Sequence, residues 1–218
     1  MQTESFVFGT MQENCTIIWN EAGEAVIFDP GCTNDAEFER LCAFIDDKGL
    51  RLLGILITHP HFDHISGADI LRRHYSTECW VNATDRVLLE SGKELAYLYG
   101  FKEDGLREVH FFEADGKPLH FGGIRINVIP ISGHTEGSLA YYVPEAGLLI
   151  AGDTLRKGSV GFVETGYSIV LERIRDYVAN LPADTRIVFG HGSDSTIGEE
   201  TQNNKFFKRS LAITSSRK

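Results

Sequence analysis

Residues 58–64 read THPHFDH and crowd three histidines and an aspartate directly behind the apolar run LLGILI. A lone histidine in a loop is usually a surface residue, but imidazoles and carboxylates at this density suit a zinc, iron or manganese site. In an extended segment alternate side chains point the same way, so His59 and His61 are expected on one face, with Asp63 and His64 where the strand run stops. Three later apolar runs also end at a donor: INVIPISG leads to His134, GLLIAG to Asp153 and RIVFG to His191. Zinc takes four ligands in structural sites and usually three protein ligands in catalytic ones, so His59, His61, Asp63, His64, His134, Asp153 and His191 are too many for one ion. Two metals are the natural arithmetic. The set contains no cysteine, which argues against a closed structural site and for ions with open positions. His74, His110 and His120 have no such neighbours and are expected at the surface.

Apolar runs are what must position these donors. SFVFGT, CTIIWN and EAVIFD read as strands, and Asn34 with Glu37 forms a capping box before a helix with Phe38, Leu41, Cys42 and Ile45 at helical spacing. RLLGILIT is uniformly apolar and reads as a strand buried on both faces. GADILRRHY and TDRVLLESGKELAYLYG read as helices around a short strand, ECWVN. PLHFGGIRINVIPI and SLAYYVPEAGLLIAGD each divide into two strands at turn residues, and IVLERIRDYVANL carries one apolar stripe of Val170, Ile174, Tyr177, Val178 and Leu181. Strands in two batches with helices between and after predict two sheets packed face to face with helices outside.

The chain has 218 residues, long enough for one good core, and a single domain over 1–218 is expected, with a basic tail from about 205 to 218 frayed. Acidic residues outnumber basic ones, 31 to 21, for a formal charge of −10, which repels nucleic acid. Neither a secretory leader nor an apolar run of membrane-spanning length is visible, so a cytoplasmic protein without membrane contact is expected. Cys15, Cys32, Cys42 and Cys79 have no CxxC spacing and are expected to be reduced and buried.

THPHFDH resembles the HxHxDH signature of the metallo-β-lactamase superfamily, and VIFDPG, SGHTEGSLAYYV, GDTL and GHGSDSTIGEE resemble segments of its short glyoxalase II-like members. That resemblance implies an α+β fold, a four-layer αββα sandwich of two mixed sheets with helices on the outer faces and the site at one edge. It assigns His59, His61 and His134 to one metal, Asp63, His64 and His191 to a second, and Asp153 to both. Asp29 is implied beside the site, fixing a histidine's orientation. Two divalent ions, zinc first with iron or manganese as alternatives, would supply a hydroxide for attack on a carbonyl, with Asp63 taking or relaying the proton.

Asp153 stands where true β-lactamases of this fold carry a cysteine, and the extra domain and basic surface of nuclease members are missing. The resemblance therefore implies a glyoxalase II-like hydrolase acting on a small-molecule thioester or ester. Two alternatives remain: a persulfide dioxygenase with one iron on His59, His134 and Asp153, and a metal-binding module without catalysis. Phe162 stands where those members place a cation, leaving Arg156 or Lys157 as substitutes, and Tyr97, Tyr99 and Phe101 are candidate pocket residues. Oligomeric state is left open.

Overall fold

The computed structural model describes residues 1–98, 106–163 and 166–214. Tyr99 and Phe101, and the side chain of Tyr97, lie outside the described residues. The first sheet contains β1 (Gln2–Phe8), β2 (Glu13–Trp19), β3 (Glu24–Phe28), β4 (Arg51–Leu56), β5 (Cys79–Asn82) and β6 (His110–Phe112), side by side in chain order. β1 to β3 pair antiparallel and β3 to β6 parallel. Parallel neighbours need long crossovers. Helix α1 (Asp35–Asp47) makes the first, α2 (Phe62–Ile65) with α3 (Ala68–Tyr75) the second, and α4 (Arg86–Leu98) the third.

The rest of the chain builds β7 (Leu119–Phe121), β8 (Ile124–Pro130), β9 (Leu139–Val143), β10 (Leu148–Ile150) and a short hairpin of β11 (Leu155–Arg156) and β12 (Ser159–Val160). Helix α5 (Tyr167–Arg173) follows and runs on into a π-helical turn, Ile174–Val178. Then come β13 (Arg186–Val188), β14 (Ser195–Thr196), α6 (Ile197–Asn203) and α7 (Lys205–Thr214). The second sheet has the order β14-β13-β10-β9-β8-β7 and is mixed, because β10 and β13 run parallel.

Period-2 alternation divides the apolar residues into three layers of core. Cys15, Ile17 and Trp19 of β2 face Leu41, Cys42 and Ile45 of α1, while Ile18 turns the other way and packs with Phe28, Leu56, Tyr141 and Ile150 between the sheets. Ala140 and Leu149 point outward to Val170, Ile174 and Val178. The result is the expected helix–sheet–sheet–helix sandwich. Each fully buried aliphatic side chain, Ile27 or Ile55 for example, contributes roughly 1.5–3 kcal/mol. All four cysteines are free and buried, and His74, His110 and His120 are exposed.

Local differences from the sequence reading have physical reasons. β4 ends at Leu56, so Thr58 to His61 run as a loop and Asp63 and His64 sit on the single turn of α2 rather than at a strand end. Asn34 caps α1 by accepting from the Glu37 amide at 3.0 Å, but the Glu37 carboxylate reaches Gly9 N and Thr33 N instead of closing the box. The basic tail is not frayed over 205–214: it forms α7, because Phe207 and Ser210 are buried there. Residues 215–218 lie outside the described residues. Tyr177 is 43% exposed and leaves the expected stripe, since the π-helical turn shifts the angular spacing that an α-helix would keep.

Candidate metal centre

Asp29 organises the edge where the strands end. It follows β3 with a left-handed φ of 47°, a conformation aspartate tolerates better than most residues. One carboxylate oxygen accepts from Thr58 N at 2.7 Å; the other accepts from Thr58 Oγ1 at 2.6 Å and from His64 Nδ1 at 3.1 Å. Since the Thr58 hydroxyl donates its only proton to Asp29, the 3.1 Å contact to His59 Nδ1 requires that nitrogen to be the donor. His59 Nε2 and His64 Nε2 are thereby turned inward. Asp29 thus orients two histidines, His64 directly and His59 through Thr58.

Backbone carbonyls orient two more. His134 Nδ1 donates to the Phe162 carbonyl and His191 Nδ1 to the Met11 carbonyl, both at 2.9 Å, so their Nε2 atoms also face inward. His59 Nε2 and His134 Nε2 each lie 3.0 Å from His61 Nδ1, which brings three imidazole nitrogens to one point. Asp63, His64 and His191 converge beside them, His191 Nε2 lying 3.2 Å from Asp63 Oδ2. Asp153 stands between the clusters: Oδ1 is 3.7 Å from His64 Nε2, and Oδ2 is 3.4 Å from His191 Nε2 and 3.9 Å from His134 Nε2. His64 Nε2 and Asp153 Oδ1 are buried without a hydrogen-bond partner, a costly arrangement that a shared cation would relieve. On donor type, convergence and these orphaned atoms, the residues fit metal ions.

Electrostatics distinguish the two clusters. Burial, then the neighbouring His134 and His64, pushes His61 down to about 4. Burial and the same kind of imidazole crowding hold His59 well below the usual range. In the other cluster burial opposes charge on His64, but Asp29, Asp153 and Asp63 outweigh it and raise the group to about 9. Burial works against Asp63 ionising, yet the hydrogen bond from His191 and the charge of His64 pull it down to about 2. His59 and His61 therefore present neutral nitrogens at pH 7, whereas His64 holds a proton that a cation must displace.

Supporting contacts come from distant parts of the chain. Buried Asp85, after β5, accepts from Thr135 Oγ1 and from Gly137 N at 2.7 Å each, and Asn82 Nδ2 donates to the Gly137 carbonyl at 2.8 Å. This clamp holds the loop that carries His134. At Gly190 an added Cβ would overlap Asp153 Oδ1 and press on His64, so only glycine lets the chain just after β13 pass this close to the centre. Arg156 Nη2 lies 3.2 Å from Asp153 Oδ2, and Lys157 Nζ donates to the Asp194 carbonyl at 2.7 Å. Phe162 serves the centre by its carbonyl, while its side chain is exposed.

Thr58, Asp85 and Glu13 escaped the sequence reading. Glu13, at the start of β2, is 1% exposed, lies 4.0 Å from His64 Nδ1, and is pushed well above the carboxylate range by burial and then by Asp29, Asp63 and Asp153. A glutamate opening the apolar strand ENCTIIW was the signal available for it.

Residues 8–191 match the family model of the metallo-beta-lactamase superfamily. Hydroxyacylglutathione hydrolase GloC of Haemophilus influenzae is 33% identical over 94% of this chain and 98% of its own length. The crystal structure of BLEG-1 B3 metallo-beta-lactamase superposes with a TM-score of 0.82 at 31% identity, covering 94% of this chain and 99% of the other. TTHA1623 in a di-iron-bound form superposes with a TM-score of 0.78 at 29% identity, covering 93% and 99%. Among the described residues no helix is long and apolar enough to cross a membrane.

Proposed function

Because the chain belongs to the metallo-beta-lactamase superfamily, we propose that it is a glyoxalase II-like hydrolase that cleaves thioesters or esters at a centre of two divalent metals. The observation that carries this reading is two complete donor clusters sharing one carboxylate, Asp153. His59, His61 and His134 would hold one ion, Asp63, His64 and His191 the other, and Asp153 both. When bound, such a pair supplies Lewis acidity and lowers the pKa of coordinated water, so that a nucleophile exists near neutral pH. Zinc is the first choice, since it also accepts a departing thiolate readily.

The chain's own groups do the rest. Asp63, held ionised by His191 and His64, is available to accept and relay a proton at its carboxylate. Asp29 and the carbonyls of Met11 and Phe162 keep the four histidine lone pairs aimed inward. Arg156 steadies Asp153 from outside. A dioxygenase with one iron on His59, His134 and Asp153 would have no use for the second cluster, yet His64 and His191 are both oriented for ligation. That favours hydrolysis.

The test is metal stoichiometry of the purified protein, together with a thioester and ester panel, a chromogenic cephalosporin, and an oxygen electrode with glutathione persulfide. The cephalosporin is included because the chain is similar in structure to BLEG-1 B3 metallo-beta-lactamase. Two ions with thiol or alcohol release is the expected result, and Asp153→Ala removes both ions. One iron with oxygen uptake would overturn the proposal, as would cleavage of the β-lactam alone.

A further inference from the structure

The geometry points to Glu200 and Asn204 as positioning residues for the metal centre: they hold the tip of the β11–β12 hairpin and through it set Asp153 and His134. This rests on the two-metal reading above and not on which bond is cleaved. His191 opens the stretch HGSDSTIGEE, whose closing glutamates belong to none of the donor clusters found among the described residues. Glu200 is nevertheless 3% exposed, and Asn204 is fully buried. A carboxylate so deep must have its charge answered by hydrogen bonds. Oε2 accepts from Gly158 N at 2.9 Å and from Asn204 Nδ2 at 2.7 Å, while Oε1 accepts from Ser195 Oγ at 2.7 Å, on the segment that follows His191. Asn204 Nδ2 also donates to the Ser159 carbonyl at 2.8 Å. Gly158 and Ser159 are the tip of the hairpin.

That hairpin joins two parts of the centre. Its incoming end is Asp153, the carboxylate placed between both clusters, and its outgoing end is Phe162, whose carbonyl accepts from His134 Nδ1. The ends are locked together: Gly161 N donates to the Thr154 carbonyl at 3.1 Å, and Gly161 leaves no room for a Cβ against the Asp153 carbonyl. Arg156, on β11, reaches Asp153 Oδ2. A shift at the tip is therefore passed to Asp153 and to the carbonyl that fixes the His134 ring.

The hairpin needs an outside hold. Its ladder is only Leu155 with Val160 and Arg156 with Ser159, and so short a two-stranded unit is marginal by itself. Leu155 and Val160 are buried in the core, but burial is non-directional and does not fix where the tip sits. Lys157 is exposed, so water competes for its bond to the Asp194 carbonyl. The bonds to Glu200 and Asn204 are shielded and directional.

The experiment uses variants of the full chain, with zinc affinity measured by chelator competition and the cobalt(II) form recorded by visible absorption. Glu200→Ala deletes the tether. Asn204→Asp keeps an oxygen for Phe206 N, which now donates to Asn204 Oδ1 at 2.9 Å, and so keeps that contact at the start of α7 while setting a carboxylate against Glu200 and the Ser159 carbonyl. Glu200→Gln is isosteric: its amide oxygen accepts from Gly158 N and Asn204, and its NH2 donates to Ser195 Oγ. Glu199→Ala removes the exposed neighbouring carboxylate, whose hydrogen bond is to Ser195 Oγ at 3.0 Å. Glu200→Ala and Asn204→Asp are expected to lower zinc affinity about tenfold, the low end of what removing ligand-orienting groups costs, and to shift the cobalt spectrum. Glu200→Gln and Glu199→Ala are expected to match the wild type. Disruptive variants that are folded by circular dichroism and keep wild-type affinity and spectrum would overturn the proposal, whatever their urea midpoint.

If either disruptive variant fails to fold, the wild type decides. By linkage, metal loading must make opening of the tether rarer by the same factor, so exchange of the exposed Gly158 amide slows by about tenfold when zinc is added. An unchanged exchange rate overturns the tether. A wild type that holds one ion, or releases no thiol or alcohol, counts against the hydrolase reading alone, because the tether is judged on affinity for the ions the protein does hold.

Discussion

Asp29→Asn is the substitution that separates orientation of the donors from the donors themselves. Asparagine tolerates the left-handed backbone at this position, so the chain path survives. It keeps one acceptor oxygen for Thr58 N but puts an N–H donor where Asp29 Oδ2 now accepts from Thr58 Oγ1 at 2.6 Å and His64 Nδ1 at 3.1 Å. Donor facing donor makes the neutral His64 ring that a metal needs carry its proton on Nε2 instead of Nδ1, which aims a hydrogen into the Asp63–His64–His191 cluster. The freed Thr58 hydroxyl can likewise donate to His59 Nδ1, 3.1 Å away, and drive the same exchange there. Loss of a charge-assisted hydrogen bond of about 1.5–3 kcal/mol corresponds to a roughly tenfold to hundredfold loss of metal affinity. Chelator competition at pH 7.5 measures this at both positions, with circular dichroism as the control for folding. A folded Asp29→Asn protein that binds two ions with wild-type affinity would refute the reasoning, because the lone pairs would then not depend on Asp29.

The clusters should respond to pH differently. With His64 raised to about 9 and His191 also raised, a metal must displace protons from the second cluster, so its affinity rises with pH from 6 to 9 by about tenfold per unit for each proton released. His61, already down at about 4, and His59, held well below the usual range, have no proton to release in that window, so the first cluster should show the shallower slope, and equal slopes in a titration at pH 6, 7 and 8 would contradict the assignment. In the metal-free protein the His64 contribution to stability is fully present below its ordinary value near 6.5 and is lost as pH rises through about 9; the melting temperature without metal should therefore fall between pH 7 and 9. Gly190→Ala should abolish binding of at least one ion while leaving a folded protein, because the new methyl group overlaps Asp153 Oδ1; intact metal stoichiometry would show that the strand can move aside. Asp85→Ala removes the acceptor for Thr135 and Gly137 and is expected to destabilise the fold by about 1–3 kcal/mol in urea melts, with weaker metal binding through His134; unchanged values for both would show that the loop holds itself.

Much of this centre was legible in the residues alone, since donor type and spacing are local properties of the chain. THPHFDH, and a donor after each of three later apolar runs, are visible without coordinates because apolar periodicity marks the strands and the residue after a strand faces the sheet edge. The sandwich was legible from the order of elements, since strands in two batches with helices between and after imply two sheets packed face to face. Tertiary structure decided which nitrogen each histidine presents. That depends on Asp29, Thr58, and the carbonyls of Met11 and Phe162, and a backbone carbonyl has no signature in a side-chain sequence. It also decided that Asp85 and Glu13 matter, because burial and approach across the sheets are long-range outcomes of packing. Residues 205–214 read as a charged tail until Phe207 found its place in the core; a helix with a few apolar contacts is stabilised by the surface it lands on, and that surface is assembled from strands far away in the chain.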